Sequence, residues 1–306
     1  MRKTDFINPF EIPGKWYKAN FHTHTTTSDG DLSPLEQVNR YAQAGYRILN
    51  LSDHRRTNNV SEFAQREDIL IVGGMECHPE CPGSQPYHIV AVNVPPSFEY
   101  SQNATECVAD IRRAGGEAII AHPYWNEHNL NEMLKVKNSI ALEVYNSSCD
   151  YSGRPCSDSE WAQCLKNELY FGGVAADDCH WRDYGGDRSL CDFAKGWTWM
   201  KMEKLTVEAL LNALRTGAYY ASCGPEIKKF KIEDNQVKLR CSEVEKVNLM
   251  ANGFGQGYRI WAPENEGITE AEVSLDTRNI KNWPFVRCFV TDKFGRKAWT
   301  NPIFLN

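Results

Sequence analysis

Residues 16–54 read WYKANFHTHTTTSDGDLSPLEQVNRYAQAGYRILNLSDH: a strand, a helix and a second strand. WYKANFH (16–22) and YRILNLSD (46–53) are short runs rich in apolar, β-branched and aromatic residues, the mark of strands buried on both faces. Between them Ser33 is placed as an N-cap, Pro34 takes the first helical position and Glu36 closes a capping box. The helix is expected to run to Ala44 and to stop at Gly45.

Outward from this unit the alternation continues. Further strand-like runs are ILIVGGME (69–76), YHIVAVNV (87–94), AIIAHP (118–123), IALEVYN (140–146) and YFGGVAAD (170–177). TECVADIRRAGG (105–116), SEWAQCLKNEL (159–169) and TVEALLNALRTG (206–217) space their apolar residues by three and four, as helices do. Strands alternating with helices predict a parallel sheet or a (β/α) barrel. After Cys223-Gly224-Pro225 the texture changes to alternating strands such as KKFKIEDNQVKLRCS (228–242) and PFVRCFVTD (284–292). A barrel over 1–224 and a small antiparallel β-sandwich over 225–306 are the expected domains.

Composition narrows the function. The 306 residues are 42% hydrophobic and 24% charged, which excludes a disordered or fibrous chain. With 34 Lys+Arg against 40 Asp+Glu, the net charge of −6 lacks the field of a protein that lives on long nucleic acid. Asp5, Asn8, Pro9, Glu11 and Pro13 interrupt any apolar leader, and no run approaches the ~18 residues of a membrane helix. Eleven cysteines, an odd number without a dense spacing framework, fit a reducing compartment, so a soluble cytoplasmic protein is expected.

Chemistry gathers at strand ends. His22-Thr23-His24 ends the first strand, and residues two apart on an extended segment face the same way. Asp29 follows in a loop; His54 ends the second strand, Glu76 the third, His122 the fifth, and Asp178-Cys179-His180 the seventh. His88 fits less well, because it precedes its apolar run. A barrel collects the C-terminal ends of its strands at one mouth. A lone histidine is more often a packed or solvated side chain, but His-x-His, an Asp-His pair and Asp-x-His recurring at one structural position predict a multinuclear metal site. Asp53 is expected to orient an imidazole, Asp177 to be weaker than Asp178, His78 to be second to His88, and His128 to be solvated. Cys179 should point away from the site by strand alternation. Cys77 and Cys81 lack a second close pair and read as structural thiols.

NFHTHTTTSDG (20–30), LNLSDH (49–54), GGME (73–76), HIVAV (88–92), AHP (121–123) and DDCH (177–180), in this order, resemble the polymerase-and-histidinol-phosphatase (PHP) family of metallohydrolases over roughly residues 18–224. TGAYYASCGPEI (216–227) and KAWTNPIFL (297–305) are similar to a bacterial branch with a C-terminal β domain that includes carbaryl-hydrolase-like members. The resemblance implies a distorted (β/α)7 barrel, TIM-like, holding two or three divalent ions of Mn²⁺, Fe²⁺ or Zn²⁺. It implies His22, His24, Glu76 and Asp178 at a first ion, Glu76 bridging to a second held by His88 and His122, and Asp29, His54 and His180 at a third.

On that reading, water shared between ions becomes a nucleophile near neutral pH, with Glu76 and Asp178 in the reacting centre and His180 as a possible proton donor. Arg55, Arg56, Tyr124, Trp125, Asn146 and Lys195 are candidate substrate-binding residues beside those motifs; for each, a packing or solvated role competes. The expected function is hydrolysis of a small phosphorylated metabolite or nucleotide. Trimming of a short oligonucleotide, hydrolysis of a carbamate, aryl ester or amide, and a non-catalytic metal-stabilised binding protein are the alternatives.

Overall fold

A computed structural model describes residues 1–182, 192–251, 257–264, 266–276 and 283–305.

β1 (Lys15–Asn20), α1 (Pro34–Gln43) and β2 (Ile48–Leu51) form the opening unit. Ser33 Oγ accepts from the Glu36 N–H while the Glu36 carboxylate accepts from Ser33 N–H, the reciprocal cap expected. Chain order continues with β3 (Leu70–Cys77), β4 (Ile89–Val92), α2 (Ala104–Arg113), β5 (Glu117–Ile120), α3 (Leu130–Lys135), β6 (Ala141–Asn146), α4 (Asp158–Lys166), β7 (Gly172–Ala176), β8 (Trp197–Met202), α5 (Val207–Thr216) and β9 (Tyr219–Ser222).

β1 to β7 are hydrogen-bonded neighbours in sequence order. Past their last strand residues β1 and β7 meet: Thr23 bridges Cys179 in parallel, His24 N–H donates to Cys179 O at 2.9 Å and Asp178 N–H donates to His22 O at 2.9 Å. The ring therefore closes at the end that carries the histidines. At the other end β8 runs antiparallel on β1, pairing Tyr17 with Met200. The result is a barrel-like unit that departs from a plain (β/α) repeat in two ways. β4 is antiparallel to both β3 and β5. Between β2 and β3 there is only a short 3-10 turn, Val60–Phe63, and between β3 and β4 no helix.

Strand alternation divides the core. Ala19, Ile48, Val72, Val90, Ile119 and Val174 from successive strands form one buried cluster. Ile89, Ala118, Ile120 and Leu142 face the other way and pack on Cys107, Val108 and Ile111 of α2 and Trp161 of α4. Asn50 ties the strands together, its Nδ2 donating to Phe21 O at 2.8 Å and Ala91 O at 3.2 Å.

The C-terminal strands are β10 (Ile227–Glu233), β11 (Gln236–Val244), β12 (Lys246–Met250), β13 (Gly257–Trp261), β14 (Ile268–Ser274), β15 (Phe285–Thr291), β16 (Lys297–Thr300) and β17 (Ile303–Phe304). β10, β11 and β14 make a three-stranded antiparallel sheet. The others do not form an independent sheet: β16 pairs with β9, so the order β13-β12-β15-β16-β9-β8 runs into the barrel-like unit. Phe230, Leu239, Val247, Val286 and Val290 fill the space between the two sheets.

Candidate metal centre

Glu76, at the end of β3, is the hub. Its Oε1 lies 2.6 Å from His88 Nδ1, 3.4 Å from His22 Nε2 and 3.6 Å from His122 Nε2. Its Oε2 lies 2.5 Å from His54 Nδ1, 3.3 Å from His78 Nε2 and 3.6 Å from His24 Nε2. Asp178 Oδ1 stands 2.9 Å from His24 Nε2 and 3.3 Å from His22 Nε2. Asp29 Oδ1 faces His180 Nε2 at 3.4 Å and His54 Nε2 at 3.5 Å. Donor atoms of His24, Asp29, His54 and His180 gather within one ion's reach, as do those of His22, Glu76 and His122, of His22, His24 and Asp178, and of His54, Glu76 and His78.

The antiparallel turn explains His88. Because β4 runs against β3, its first residues lie at the same end as the last residues of β1, β2 and β3, and Cys77 pairs with Ile89. A histidine before its strand thus meets histidines that follow theirs.

Burial makes the cluster costly unless something fills it. His22 Nε2, both His24 ring nitrogens, Glu76 Oε2 and Asp178 Oδ1 are buried without a hydrogen-bond partner, and such groups call for a bound species. Tautomers point the same way. Carboxylate and carbonyl oxygens only accept, so His22 Nδ1–H donates to Glu143 Oε1 at 2.7 Å and His180 Nδ1–H to Asp178 O at 2.8 Å. His122 Nδ1–H donates to Asn126 Oδ1 at 2.6 Å, while Asn126 Nδ2 is spent on Pro86 O. In its neutral form each of these three imidazoles presents its Nε2 lone pair to the cluster, the state a cation requires.

Charge is balanced within the cluster. Burial opposes the protonated form of His22, but the Asp178, Glu143 and Glu76 carboxylates outweigh it and hold its pKa well above the usual value. His122 and His180 are raised likewise, against burial, by Glu76 and by Asp29 respectively. Burial takes His24 down to about 4, helped by the neighbouring His180, and takes His88 to about 4 against the pull of Glu76. For Glu76 and Asp178 burial is overcome by the surrounding imidazoles, and both stay well below the carboxylate range. His122 (φ 25°) and Asp178 (φ 55°) occupy the left-handed region, backbone strain of a kind that gathers at functional sites.

A cavity of about 300 Å³ opens over the cluster. Trp125 lines it, edge-on to His122 at 5.2 Å, as do Ser148, Tyr151 and Arg182. Arg182 also donates to Asp29. Of the other sequence candidates, Arg55 and Arg56 are exposed and line no part of this cavity, and Lys195 is exposed, its backbone N–H donating to Asp177. Tyr124 lies under the Arg154 guanidinium, 5.5 Å from ring centre. Asn146 is buried beneath the site, its Nδ2 donating to Glu143 Oε2 at 2.8 Å and Asp178 Oδ2 at 3.2 Å.

Four residues stand otherwise than the sequence suggested. Asp53 touches no imidazole; it accepts from Thr25, Ser28 and Asn58 and shapes the loop that carries Asp29. His78 belongs to the cluster, stacked on His88 with ring centres 4.0 Å apart, because β3 extends straight through Glu76. His128 is buried, bonded to Gln85 O. Glu143, in the middle of β6, carried no motif at all, and only its position on a strand facing the ring could have marked it. Asp177 turns from the site to accept N–H groups of Ala194, Lys195 and Gly196. Cys179 is packed with Val38, Tyr46 and Leu49, on the far side.

No family model matches the chain. An uncharacterized protein of Methanocaldococcus jannaschii is 29% identical over 149 residues, which are 42% of this chain and 67% of that protein. A 5′-3′ exoribonuclease of Haemophilus influenzae is 35% identical over 79 residues, 25% of this chain and 28% of that enzyme; the match thus spans little over a quarter of it. Among solved structures, a two-domain protein of Bacteroides vulgatus containing a predicted PHP-like metal-dependent phosphoesterase aligns over 96% of this chain and 98% of its own, with a TM-score of 0.54 and 14% identity. The chain shares that fold. The likeness covers both the barrel-like unit and the C-terminal strands.

Proposed function

We propose that the protein is a metal-dependent hydrolase of a small phosphate ester, a phosphorylated metabolite or nucleotide. The buried, unpartnered donor atoms of His22, His24, Glu76 and Asp178 carry this reading. His22, His24, Asp29, His54, Glu76, His88, His122, Asp178 and His180 would hold two or three divalent ions, with Glu76 shared because its two oxygens face different histidines. A donor set of imidazole and carboxylate without thiolate suits Mn²⁺, Fe²⁺ or Zn²⁺. Such ions supply Lewis acidity and lower the pKa of a bound water towards neutrality.

The chain's own residues do the rest. Glu143 and Asn126 fix the His22 and His122 rings, and Asn146 spans Glu143 and Asp178, so the donors are held before anything binds. Trp125 offers a flat apolar wall to a base or aryl group, and Arg182 a cation at the rim. His180 is better placed as a ligand than as proton donor, since its Nδ1–H is committed to a carbonyl and its Nε2 faces Asp29. The exoribonuclease relative supports a nucleotide or short oligonucleotide among the substrates. The active unit is assigned to 1–224, with 225–306 as the C-terminal β domain, in the cytoplasm; no helix among the described residues is long and apolar enough to cross a membrane.

Metal analysis of protein prepared without chelator, beside turnover of p-nitrophenyl phosphate, bis-p-nitrophenyl phosphate and an aryl carbamate with Mn²⁺, tests this. Two or three equivalents of metal and phosphate-ester turnover, lost in His22→Ala, are expected. Carbamate turnover alone would move the assignment to a carbamate or ester hydrolase, and less than one equivalent with no turnover would leave a binding protein.

A further inference from the structure

Arg287 is the one wholly buried arginine among the described residues, 1% exposed. It lies on β15, where Val286, Cys288 and Val290 point into the core between the two C-terminal sheets. Arg287 therefore points to the opposite face, towards α4, and its guanidinium sits over the Trp161 ring, 4.4 Å from the centroid. Its Nε and Nη1 have no hydrogen-bond partner, and no carboxylate of a described residue pairs with it. Asp158, the α4 acid whose charge reaches Arg287 and which stands in the same cavity wall, is bonded to Lys297 Nζ and Trp299 Nε1 instead.

Such a group is expensive. A guanidinium cannot shed its proton to escape burial, and the face of one tryptophan offsets only part of what a buried charge without a paired carboxylate costs. The guanidinium is not sealed in, however. It forms part of the wall of a cavity of about 780 Å³ between α4 and the face of β12, β13 and β15, a size in the range of small-molecule sites. Lys166 and Arg259, both exposed, add positive charge to the same wall. Met250 and Phe289 supply an apolar surface beside them. Arg259 is braced by its Nε–H bond to Asn248 Oδ1 at 2.9 Å.

We propose that this cavity is a second ligand site, distinct from the histidine cluster, which binds a small organic anion. The anionic group pairs with Arg287, Lys166 and Arg259 while a flat apolar body lies on Met250 and Phe289. The site joins α4 of the barrel-like unit to the C-terminal sheet, so it needs both.

Isothermal titration calorimetry on the chelator-treated full-length chain tests this with naphthalene-2-sulfonate as probe, and with 2-naphthalenemethanol and inorganic sulfate as its neutral and body-less counterparts. One-site binding of the sulfonate is expected, with the alcohol and sulfate each at least about tenfold weaker. Affinity is expected to fall by at least about tenfold, ~1.4 kcal/mol, in Arg287→Met and in the Lys166→Ala/Arg259→Ala double variant. The double variant changes only exposed side chains and decides the matter if Arg287→Met does not fold. No saturable binding, an unchanged affinity in either folded variant, or equal binding of the alcohol or of sulfate overturns the proposal. None of these outcomes depends on the metal centre being a hydrolase.

Discussion

At the scale of the residue, the centre is built by groups that never need to touch an ion. Glu143 accepts from His22 Nδ1 and from the His122 backbone N–H at 3.0 Å, so one carboxylate holds the His22 ring and the backbone that carries His122. Glu143→Gln keeps the shape but loses the charge. Because an amide NH2 would face one of the donors that the carboxylate now accepts from, the metal-free protein is expected to unfold at a lower midpoint and metal affinity, measured by competition with a chromophoric chelator, to drop roughly 10- to 100-fold. Protons compete with the cation at the same donors. His22, His122 and His180 are held above the ordinary imidazole value, so near neutral pH the metal-free cluster retains protons that an ion must displace. Affinity should therefore rise from pH 6 to pH 8, and calorimetry in buffers of different ionisation enthalpy should detect proton release. A pH-independent affinity would show that these imidazoles are already neutral.

At the scale of the element, close strand approach is set by glycine. A Cβ on Gly74 would stand 2.4 Å from the Asn50 side chain and 2.6 Å from Ala91 O. Asn50 is the residue that ties Phe21 and Ala91 across the ring, so it has no room to retreat. Gly74→Ala is expected to destabilise by about 1–3 kcal/mol and to weaken metal binding as well, because Glu76 lies two residues further along β3. Urea unfolding with and without Mn²⁺ reads both effects; a wild-type midpoint would mean that β3 shifts freely. Helix α1 was legible down to its cap, since Ser33, Pro34 and Glu36 act through local backbone geometry. The direction of β4 was not. An apolar run of four residues reads alike in either direction, and the link does not tell either, since β2 and β3 are also joined without an α-helix yet run parallel.

At the scale of the whole molecule, the C-terminal strands complete the sheet on which the barrel-like unit rests. β16 covers the edge of β9, pairing Trp299 with Ala221, and Trp299 is fully buried in the same cluster as α2 and α4. Tyr220 belongs to the C-terminal core, with Trp16 and Trp199 packed against it. A fragment ending at residue 224 would bare a strand edge and these aromatics, a surface prone to self-association. Size-exclusion chromatography of residues 1–224 is expected to show aggregate; a soluble monomer that binds metal would prove the unit self-sufficient. The sequence by itself determined the α/β alternation, the cap of α1 and the change of texture after Gly224, and it put most of the candidate donors at strand ends, because each rests on local periodicity or on a residue type placed at a strand end. Only the tertiary structure decided the place of His88 and His78, the roles of Glu143 and Asp53, the arginine that reaches the cavity and the joining of the C-terminal strands to β9. Those depend on which strands are neighbours and in which direction they run, and that is settled by burial and hydrogen bonding between segments far apart in the chain.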